Sequence, residues 1–183
     1  MEVSVIEGVA ASREACAGEA VLAELQPLVV RTVRLVVGSG SAVAEDAAQD
    51  ALLELSRALP RLREKGAAPA FAARIAARVA LRAIKRERRF AFLGNRTNQF
   101  SSAWLPNEPL EMVALKEAFD RLPPRQRATA VLRLYVGLSE RETAEALGCS
   151  VGAVKHQLHD ARIALASYLD RGEQVSNGKR GRK

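Results

Sequence analysis

The stretch 74–89 constrains the fold of this chain more than any other segment. Basic residues recur there at intervals of four, four, three and four, with mostly small apolar residues between them. At about 3.6 residues per turn, this spacing keeps the basic side chains within an arc of about 80° on an α-helix. The stretch is therefore predicted to form an amphipathic helix with a cationic ridge, which consists of Arg74, Arg78, Arg82, Lys85 and Arg89.

The opposite side of this predicted helix is apolar, and the ridge has almost no acidic neighbours in the sequence. Glu87 is the only acid in the stretch. Solvated Arg-rich helix faces usually carry glutamates for i,i+4 pairing. An unpaired ridge repels itself, so its presence favours an anionic partner. The apolar side is predicted to face the core and consists of Ala72, Ile75, Ala76, Val79, Ala80 and Ala83.

The positive charge of the chain is concentrated in one region. Residues 61–90 hold ten basic and two acidic side chains, a net charge of +8, whereas the whole chain of 183 residues carries +7. Such a patch indicates nucleic acid or an anionic membrane as the partner. No apolar run approaches the roughly 20 residues that span a bilayer. The N-terminal segment has no signal-peptide pattern, which predicts a cytoplasmic protein.

Helical periodicity recurs along the chain and strand patterns are nearly absent, which predicts an all-α fold of two small helical domains joined by a flexible linker. The first helices are expected at 19–37, with a kink or break at Pro27, and at about 43–58. The predicted organisation is an extension without ordered structure at 1–18, a helical domain at 19–90, a linker at 91–109, a second helical domain at 110–170 and a basic, disordered tail at 171–183.

Residues 139–166 carry the pattern of a helix-turn-helix. Ser139 and Glu142 have the spacing of a capping box, Gly148 can adopt a positive φ in the turn, and Ser150 can cap the next helix. A short helix, a glycine turn and a capped second helix are typical of DNA-binding helix-turn-helix units. The second helix has one predicted core-facing stripe, formed by Val151, Val154, Leu158, Ala161 and Leu165.

The opposite face of the second helix has the composition of a DNA-reading surface. Small residues would let the helix approach base edges, basic residues suit phosphates or guanine, and histidines can donate to acceptors in the major groove. Asp160 is unusual on such a face; it could accept from cytosine N4 or pair with Lys155 or Arg162. The residues predicted to contact DNA are Ser150, Gly152, Ala153, Lys155, His156, His159 and Arg162.

No metal site, cofactor or disulfide is predicted. His156 and His159 could bind a metal ion, but no third ligand is close in the sequence. Cys16 and Cys149 are far apart and lack the spacing of a zinc site.

Five segments together resemble a known family. The family is that of the bacterial group 4, or extracytoplasmic function (ECF), sigma factors, which belong to the sigma-70 family. Region 2 of these proteins is similar to segments 44–52 (AEDAAQDAL) and 74–76 (RIA). Region 4 is similar to segments 122–127 (LPPRQR), 138–148 (LSERETAEALG) and 151–155 (VGAVK). The resemblance implies a promoter-specificity subunit that has no enzymatic activity and works on core RNA polymerase. Many relatives are held inactive by an anti-sigma factor, so the resemblance leaves such a partner open.

The resemblance assigns promoter DNA to both halves of the chain. Region 2 would bind the −10 element and capture its non-template strand, and region 4 would bind the −35 element. Gln157 and Asp160 stand where the family often has basic residues, which predicts an unusual −35 preference. The residues implied for −10 binding are Phe71, Arg74, Arg78, Arg82, Lys85, Arg86 and Arg89.

The predicted helix at 43–58 is acidic up to Arg57, in contrast to the basic helix that follows. In the family this surface docks on the β′ clamp helices of core polymerase, and region 4 binds the β flap. The residues implied for the clamp are Asp46, Gln49, Asp50, Leu53 and Glu54, and those implied for the flap are Leu132 and Tyr135.

Two other classes of protein fit the sequence less well. A free-standing helix-turn-helix regulator would need a ligand pocket or a symmetric apolar dimer face, and the sequence indicates neither. An enzyme would need a glycine-rich phosphate loop, metal-ligand spacing or a nucleophile with its base, and the sequence has none of these patterns.

Overall fold

In the computed structural model of the chain, residues 3–38, 41, 43–62, 64–92 and 116–180 are described. All regular elements within these ranges are helices, which confirms the all-α prediction. Most of the predicted linker lies outside the described residues.

The first half contains helices α1 (Val3–Val37), α2 (Ala44–Ala58) and α3 (Ala68–Phe92), with short 3₁₀ turns at Leu59–Arg61 and Lys65–Ala67. The three long helices pack against one another. Helix α1 begins well before the predicted start at 19, because the preceding segment is rich in the helix formers alanine and glutamate. It also passes through Pro27, where a kink or break was expected.

The core of the first half follows the predicted periodicity. Its large members include Val29, Val33 and Val36 on α1 and Leu55 on α2, all fully buried. The apolar side of α3 packs against them, as predicted, and alanines at most of its contact positions let neighbouring helices approach closely. The buried residues of this side are Ala72, Ile75, Ala76, Val79, Ala80 and Ala83.

The second half contains a helical segment at 116–120 and helices α4 (Pro124–Ala130), α5 (Glu140–Leu147) and α6 (Val151–Arg180). A single π-helical stretch, Val131–Tyr135, continues α4. Helix α6 packs against both α4 and α5. It continues to Arg180, beyond the predicted domain end at 170.

The two halves share one interface, which the sequence does not predict. Ala73 and Ala77 lie on α3 beside the cationic ridge and are fully buried. They pack with Leu132, Leu138 and Ala146 of the second half. Other residues of the second half join the core of the first half directly; they include Phe119, Leu122, Ala128, Val131 and Ala161. Helix α3 is therefore buried on two sides.

Close contacts around Gly38 also join the two halves. Gly38, just after α1, has a φ of 108°. The buried guanidinium of Arg127 on α4 lies against it and donates from Nη1 to Asp120 Oδ1 at 3.1 Å. Burial lowers the pKa of Arg127, and the nearby carboxylate of Asp120 partly offsets that shift. Nearby, the Arg31 guanidinium lies 5.8 Å from the centre of the Tyr135 ring.

Candidate nucleic-acid interface

The local signals of the helix-turn-helix have the predicted geometry. The Ser139 hydroxyl accepts from the Glu142 backbone N–H at 3.2 Å, and the Glu142 carboxylate accepts from the Ser139 backbone N–H at 2.8 Å. Gly148 ends α5 in the left-handed region, with φ 60° and ψ 46°. The Ser150 hydroxyl caps α6 by accepting from the Ala153 N–H at 3.1 Å. Both helices therefore start where the sequence predicts, and α5 also ends where it predicts.

The capping box also affects the charge at the start of α5. Hydrogen bonds from the Ser139 hydroxyl and backbone N–H lower the pKa of Glu142. The carboxylate is thus held in its ionised form, which suits its position in the first turn of a helix.

Helix α6 buries most of its predicted core-facing stripe. Val154, Leu158 and Ala161 are buried, and Leu165 is half-buried. Val151 is exposed instead, because it occupies the first turn of α6, where it borders a surface depression together with Cys149 and Ser150.

The predicted reading face of α6 is open to solvent. All but one of its predicted DNA contacts are exposed, and Ala153 is half-buried. Lys155 Nζ lies 3.6 Å from Glu140 Oε2 at the start of α5. Surface ion pairs of this kind contribute at most about 1 kcal/mol, so a phosphate can replace Glu140 at little cost. The exposed members are Ser150, Gly152, Lys155, His156, His159 and Arg162.

Two polar residues of α6 fasten it to α4, a role that the sequence interpretation missed. Gln157 accepts from the Thr129 hydroxyl at 2.6 Å. Asp160 accepts from Gln126 Nε2 at 3.2 Å and lies 3.1 Å from His156 Nδ1. Asp160 therefore does not pair with Lys155 or Arg162, as one alternative had it. Its position, three residues after Gln157 and next to the buried stripe, was the available signal.

The cationic ridge of α3 is paired in part, contrary to the expectation from the sequence. Arg78 Nη2 lies 3.2 Å from Glu54 Oε1, and Arg82 pairs with the other oxygen of the same carboxylate. Arg74 lies 3.7 Å from Glu142 and 3.9 Å from Glu145. The acids come from α2 and α5, so local sequence could not reveal them.

The C-terminal part of the ridge keeps its charge open. Lys85, Arg86 and Arg89 are exposed, and no carboxylate of the described residues lies within ion-pairing distance of them. Phe71, also predicted to contact the −10 element, is half-buried against the core of the first half.

A cleft of about 1170 Å³ runs between α3 and the second half of the chain. Leu81, Ile84 and Leu147 form part of its apolar lining, and Glu54 and Glu145 are its acidic members. Its positive members outnumber these acids, so the cleft attracts polyanions. Arg88 and Arg125 were not among the predicted contacts, although Arg125 lies within the segment 122–127. The basic lining consists of Arg78, Arg82, Lys85, Arg88, Arg89 and Arg125.

Helix α2 presents an acidic face that meets this cleft only at Glu54. Asp46, Gln49 and Asp50 are exposed, and the apolar side chain of Leu53 beside them is 54% exposed. Glu54 is half-buried because it holds Arg78 and Arg82. The residues predicted to contact the β′ clamp thus lie on one helix, and one of them, Glu54, forms ion pairs with α3.

The two residues predicted to contact the β flap are placed differently. Leu132 is 0% exposed and lies in the interface with α3, so it is not available at the surface in this conformation. Tyr135 is 37% exposed, and the neighbouring Leu134, which was not predicted, is 46% exposed.

The described residues contain no group of three or more histidine, cysteine, aspartate or glutamate side chains that could hold a metal ion. Within the same part of the chain, no helix combines the length and apolar character needed to cross a membrane.

Family models match both halves of the chain. Residues 21–90 match the model of Sigma-70 region 2, and residues 112–165 match that of Sigma-70, region 4. The first match covers the later part of α1, the acidic face of α2 and the ridge of α3. The second covers the helix-turn-helix.

Known proteins of similar sequence and structure point the same way. The chain is 34% identical to the ECF RNA polymerase sigma factor SigD of Mycobacterium tuberculosis, over 92% of this chain and 84% of that protein. It is 30% identical to SigM of the same species, over 72% of this chain and 68% of that protein. The fold is similar to that of the sigma factor RpoE, which was solved in complex with the anti-sigma factor NepR from Bartonella quintana. The TM-score is 0.68 at 22% sequence identity, and the similarity covers 81% of this chain and 94% of that chain. The chain therefore belongs to the ECF family of RNA polymerase sigma factors, the subunits that bind core RNA polymerase and direct transcription from promoters.

Proposed function

We propose that this sigma factor reads the −10 element with α3 and the −35 element with α6, while α2 holds core polymerase. The observation that carries the proposal is the presence, in one chain, of an exposed helix-turn-helix reading face and a separate cationic cleft along α3. Two DNA-facing surfaces on two helices suit a protein that contacts two promoter elements. The alternative of a free-standing regulator requires only the first surface.

The −10 contact depends on the ridge and the cleft. Lys85, Arg86 and Arg89 are open to phosphates from the start. Arg74, Arg78 and Arg82 would exchange exposed or half-exposed carboxylate partners for DNA phosphates, which costs little because such ion pairs are weak in water. Binding along this face releases counterions, so it should weaken steeply with salt. Phe71 is half-buried and would meet DNA only at its exposed edge.

The −35 contact depends on the exposed face of α6. Lys155 and Arg162 flank this face and are placed for phosphates. Replacing both with alanine should lower promoter affinity and reduce the slope of log K against log salt by about one per lost phosphate contact. Arg57→Ala, an exposed arginine on α2, serves as the control. An unchanged slope in the double variant would place the −35 contact elsewhere.

The polymerase contact would use the exposed part of α2 for the β′ clamp and Tyr135 for the β flap. The acidic groups of α2 leave a negative surface next to the apolar Leu53, a combination that suits a basic partner with an apolar centre. The resemblance to RpoE, which was solved with NepR, supports an anti-sigma factor as a further partner. The proposed site of action is the cytoplasm, where core polymerase works, and we propose no catalytic chemistry.

Run-off transcription tests the proposal. Purified bacterial core polymerase, with and without this protein, would transcribe fragments of the source genome. New start sites that depend on the protein, preceded by two shared sequence elements, are the expected result. Gel shifts of duplex DNA by the protein alone, without binding to core and without new start sites, would contradict it and favour the free-standing regulator.

A further inference from the structure

Glu54 lies between two surfaces that the proposed function assigns to different partners. On α2 it follows Asp50 by one helical turn, about 40° around the helix axis, so it stands at the edge of the acidic face. Its side chain also lines the cationic cleft beside α3. The side chain is 35% exposed, so solvent and a bound partner can reach it. One carboxylate is therefore accessible from both surfaces.

The carboxylate of Glu54 holds two arginines of the ridge at once. Arg78 Nη2 donates to its Oε1 at 3.2 Å, and Arg82 Nη2 donates to its Oε2. The two arginines are four residues apart on α3 and share one face of the helix, so the two oxygens of a single carboxylate serve both. The carboxylate thus cancels one of the two positive charges in the middle of the ridge.

The end of the ridge shows what this pairing changes. Lys85, Arg86 and Arg89 are exposed, and they have no carboxylate partner among the described residues. A phosphate that approaches Arg78 and Arg82 instead meets the carboxylate of Glu54, which repels it and occupies the donors that it needs. Glu54 therefore lowers the affinity of the free protein for DNA in the middle of the ridge.

We propose that Glu54 couples polymerase binding to −10 recognition. In the free protein its carboxylate occupies Arg78 and Arg82, and a basic group of core polymerase that takes this carboxylate releases both arginines for DNA phosphates. The inference rests on the proposed function, in which α2 holds polymerase and α3 reads the −10 element. Glu54 is then a positioning residue, which acts on DNA only through the two arginines. Such coupling is reciprocal, so DNA on the ridge also frees Glu54 for polymerase.

The exposure of the three side chains sets the size of the effect. Arg78 is 52% exposed and Arg82 is 65% exposed. An exposed ion pair changes an equilibrium constant by at most about fivefold. Two such pairs on one carboxylate predict an effect of about fivefold on DNA affinity. The same factor should appear in the affinity for polymerase when DNA is bound.

The first test uses the full chain without polymerase. A fluorescent single-stranded oligonucleotide at low salt is the probe, and fluorescence anisotropy gives its affinity. Glu54→Gln should bind it about fivefold more tightly than the wild type, because the neutral amide no longer repels phosphate. Glu45→Gln is the matched control, since it removes the same charge from the same helix. Glu45 is exposed, and no basic group of the described residues lies within ion-pairing distance of it, so its affinity should stay at the wild-type value.

A second set of variants tests whether the gain passes through the two arginines. When Arg78 and Arg82 are both replaced with alanine, adding Glu54→Gln should give no further change in affinity. In Arg86→Ala, which lowers DNA affinity by a contact that Glu54 does not hold, adding Glu54→Gln should still give the full gain. Thermal unfolding of each variant separates these effects from loss of the fold.

The coupling itself is tested with holoenzyme. The probe is a single-stranded oligonucleotide that carries the −10 sequence found by run-off transcription, at a concentration of core polymerase that saturates each variant. Polymerase already holds the carboxylate in the wild type, so Glu54→Gln holoenzyme should bind this probe no more tightly than wild-type holoenzyme. The gain should therefore be present in the free protein and absent in the complex.

Four results would overturn the inference while the proposed function stood. They are an unchanged affinity of free Glu54→Gln, an equal gain in Glu45→Gln, a gain that survives replacement of both arginines, and a gain as large in holoenzyme as in the free protein. Failure of the wild type to bind core polymerase would instead overturn the proposed function, and the coupling with it.

Discussion

Leu132 offers the sharpest test of the domain interface, because the family resemblance assigns it to polymerase and the structure buries it completely. Its neighbours across the interface are Ala73 and Ala77 of α3, together with Leu138 and Ala146. In Leu132→Ala, the alanine neighbours sit on packed helices and cannot extend into the space that is left. Large-to-small changes at such sites cost about 2–5 kcal/mol, and more where the cavity cannot collapse. We expect about 3–4 kcal/mol.

The measurement is urea unfolding followed by circular dichroism, with thermal unfolding beside it. At about 2–4 °C per kcal/mol for a chain of this size, the midpoint should fall by about 6–16 °C. Leu134→Ala is the matched control, since its side chain is 46% exposed and should cost less than about 1 kcal/mol. A Leu132→Ala variant of wild-type stability that binds core polymerase more weakly would refute the reasoning and restore Leu132 as a surface contact.

The other predictions concern a helix cap, a turn and the polymerase surface. Ser139→Ala removes the cap of α5 and should cost about 1 kcal/mol in urea unfolding at pH 7. Glu142 has a lowered pKa in the folded state, so its stabilising effect is complete above the ordinary value of 4.5 and is lost as the pH falls through the lowered pKa. The stability cost of Ser139→Ala should therefore become smaller in acid. A cost that stays the same at all pH values would contradict this. Gly38→Ala places a side chain at φ 108°, with its Cβ 2.7 Å from Arg127 Nη1. The variant should lower the free energy of unfolding by at least about 1–3 kcal/mol. An unaltered unfolding midpoint would count against the close approach of Arg127 to Gly38. Asp50→Arg should leave the unfolding midpoint unchanged and weaken binding to core polymerase in a fluorescence anisotropy titration, whereas wild-type affinity would remove Asp50 from that surface.

Much of the candidate site could be predicted from the sequence because its determinants are local. The cap at Ser139, the left-handed turn at Gly148 and the cap at Ser150 each depend on residues within three or four positions. The exposed face of α6 follows from helical periodicity once the buried stripe is known. The same reasoning located the apolar side of α3.

Predictions were less complete at the helix ends and at surfaces shared between elements. Helix α1 extends back to Val3 and α6 forward to Arg180, in segments that the sequence analysis treated as without ordered structure. Gln157 and Asp160 looked like altered DNA contacts, yet they bond to Thr129 and Gln126.

The sequence by itself determined the helices, the caps, the helix-turn-helix and the placement of positive charge on one side of α3, because each depends on the spacing of residues along a single helix. Only the tertiary structure decided how that charge is used. Glu54 reaches Arg78 and Arg82 from 24 and 28 positions away, and the second half of the chain buries Ala73, Ala77 and Leu132 against α3. These contacts depend on which helices lie side by side, and that is a property of the packed core as a whole.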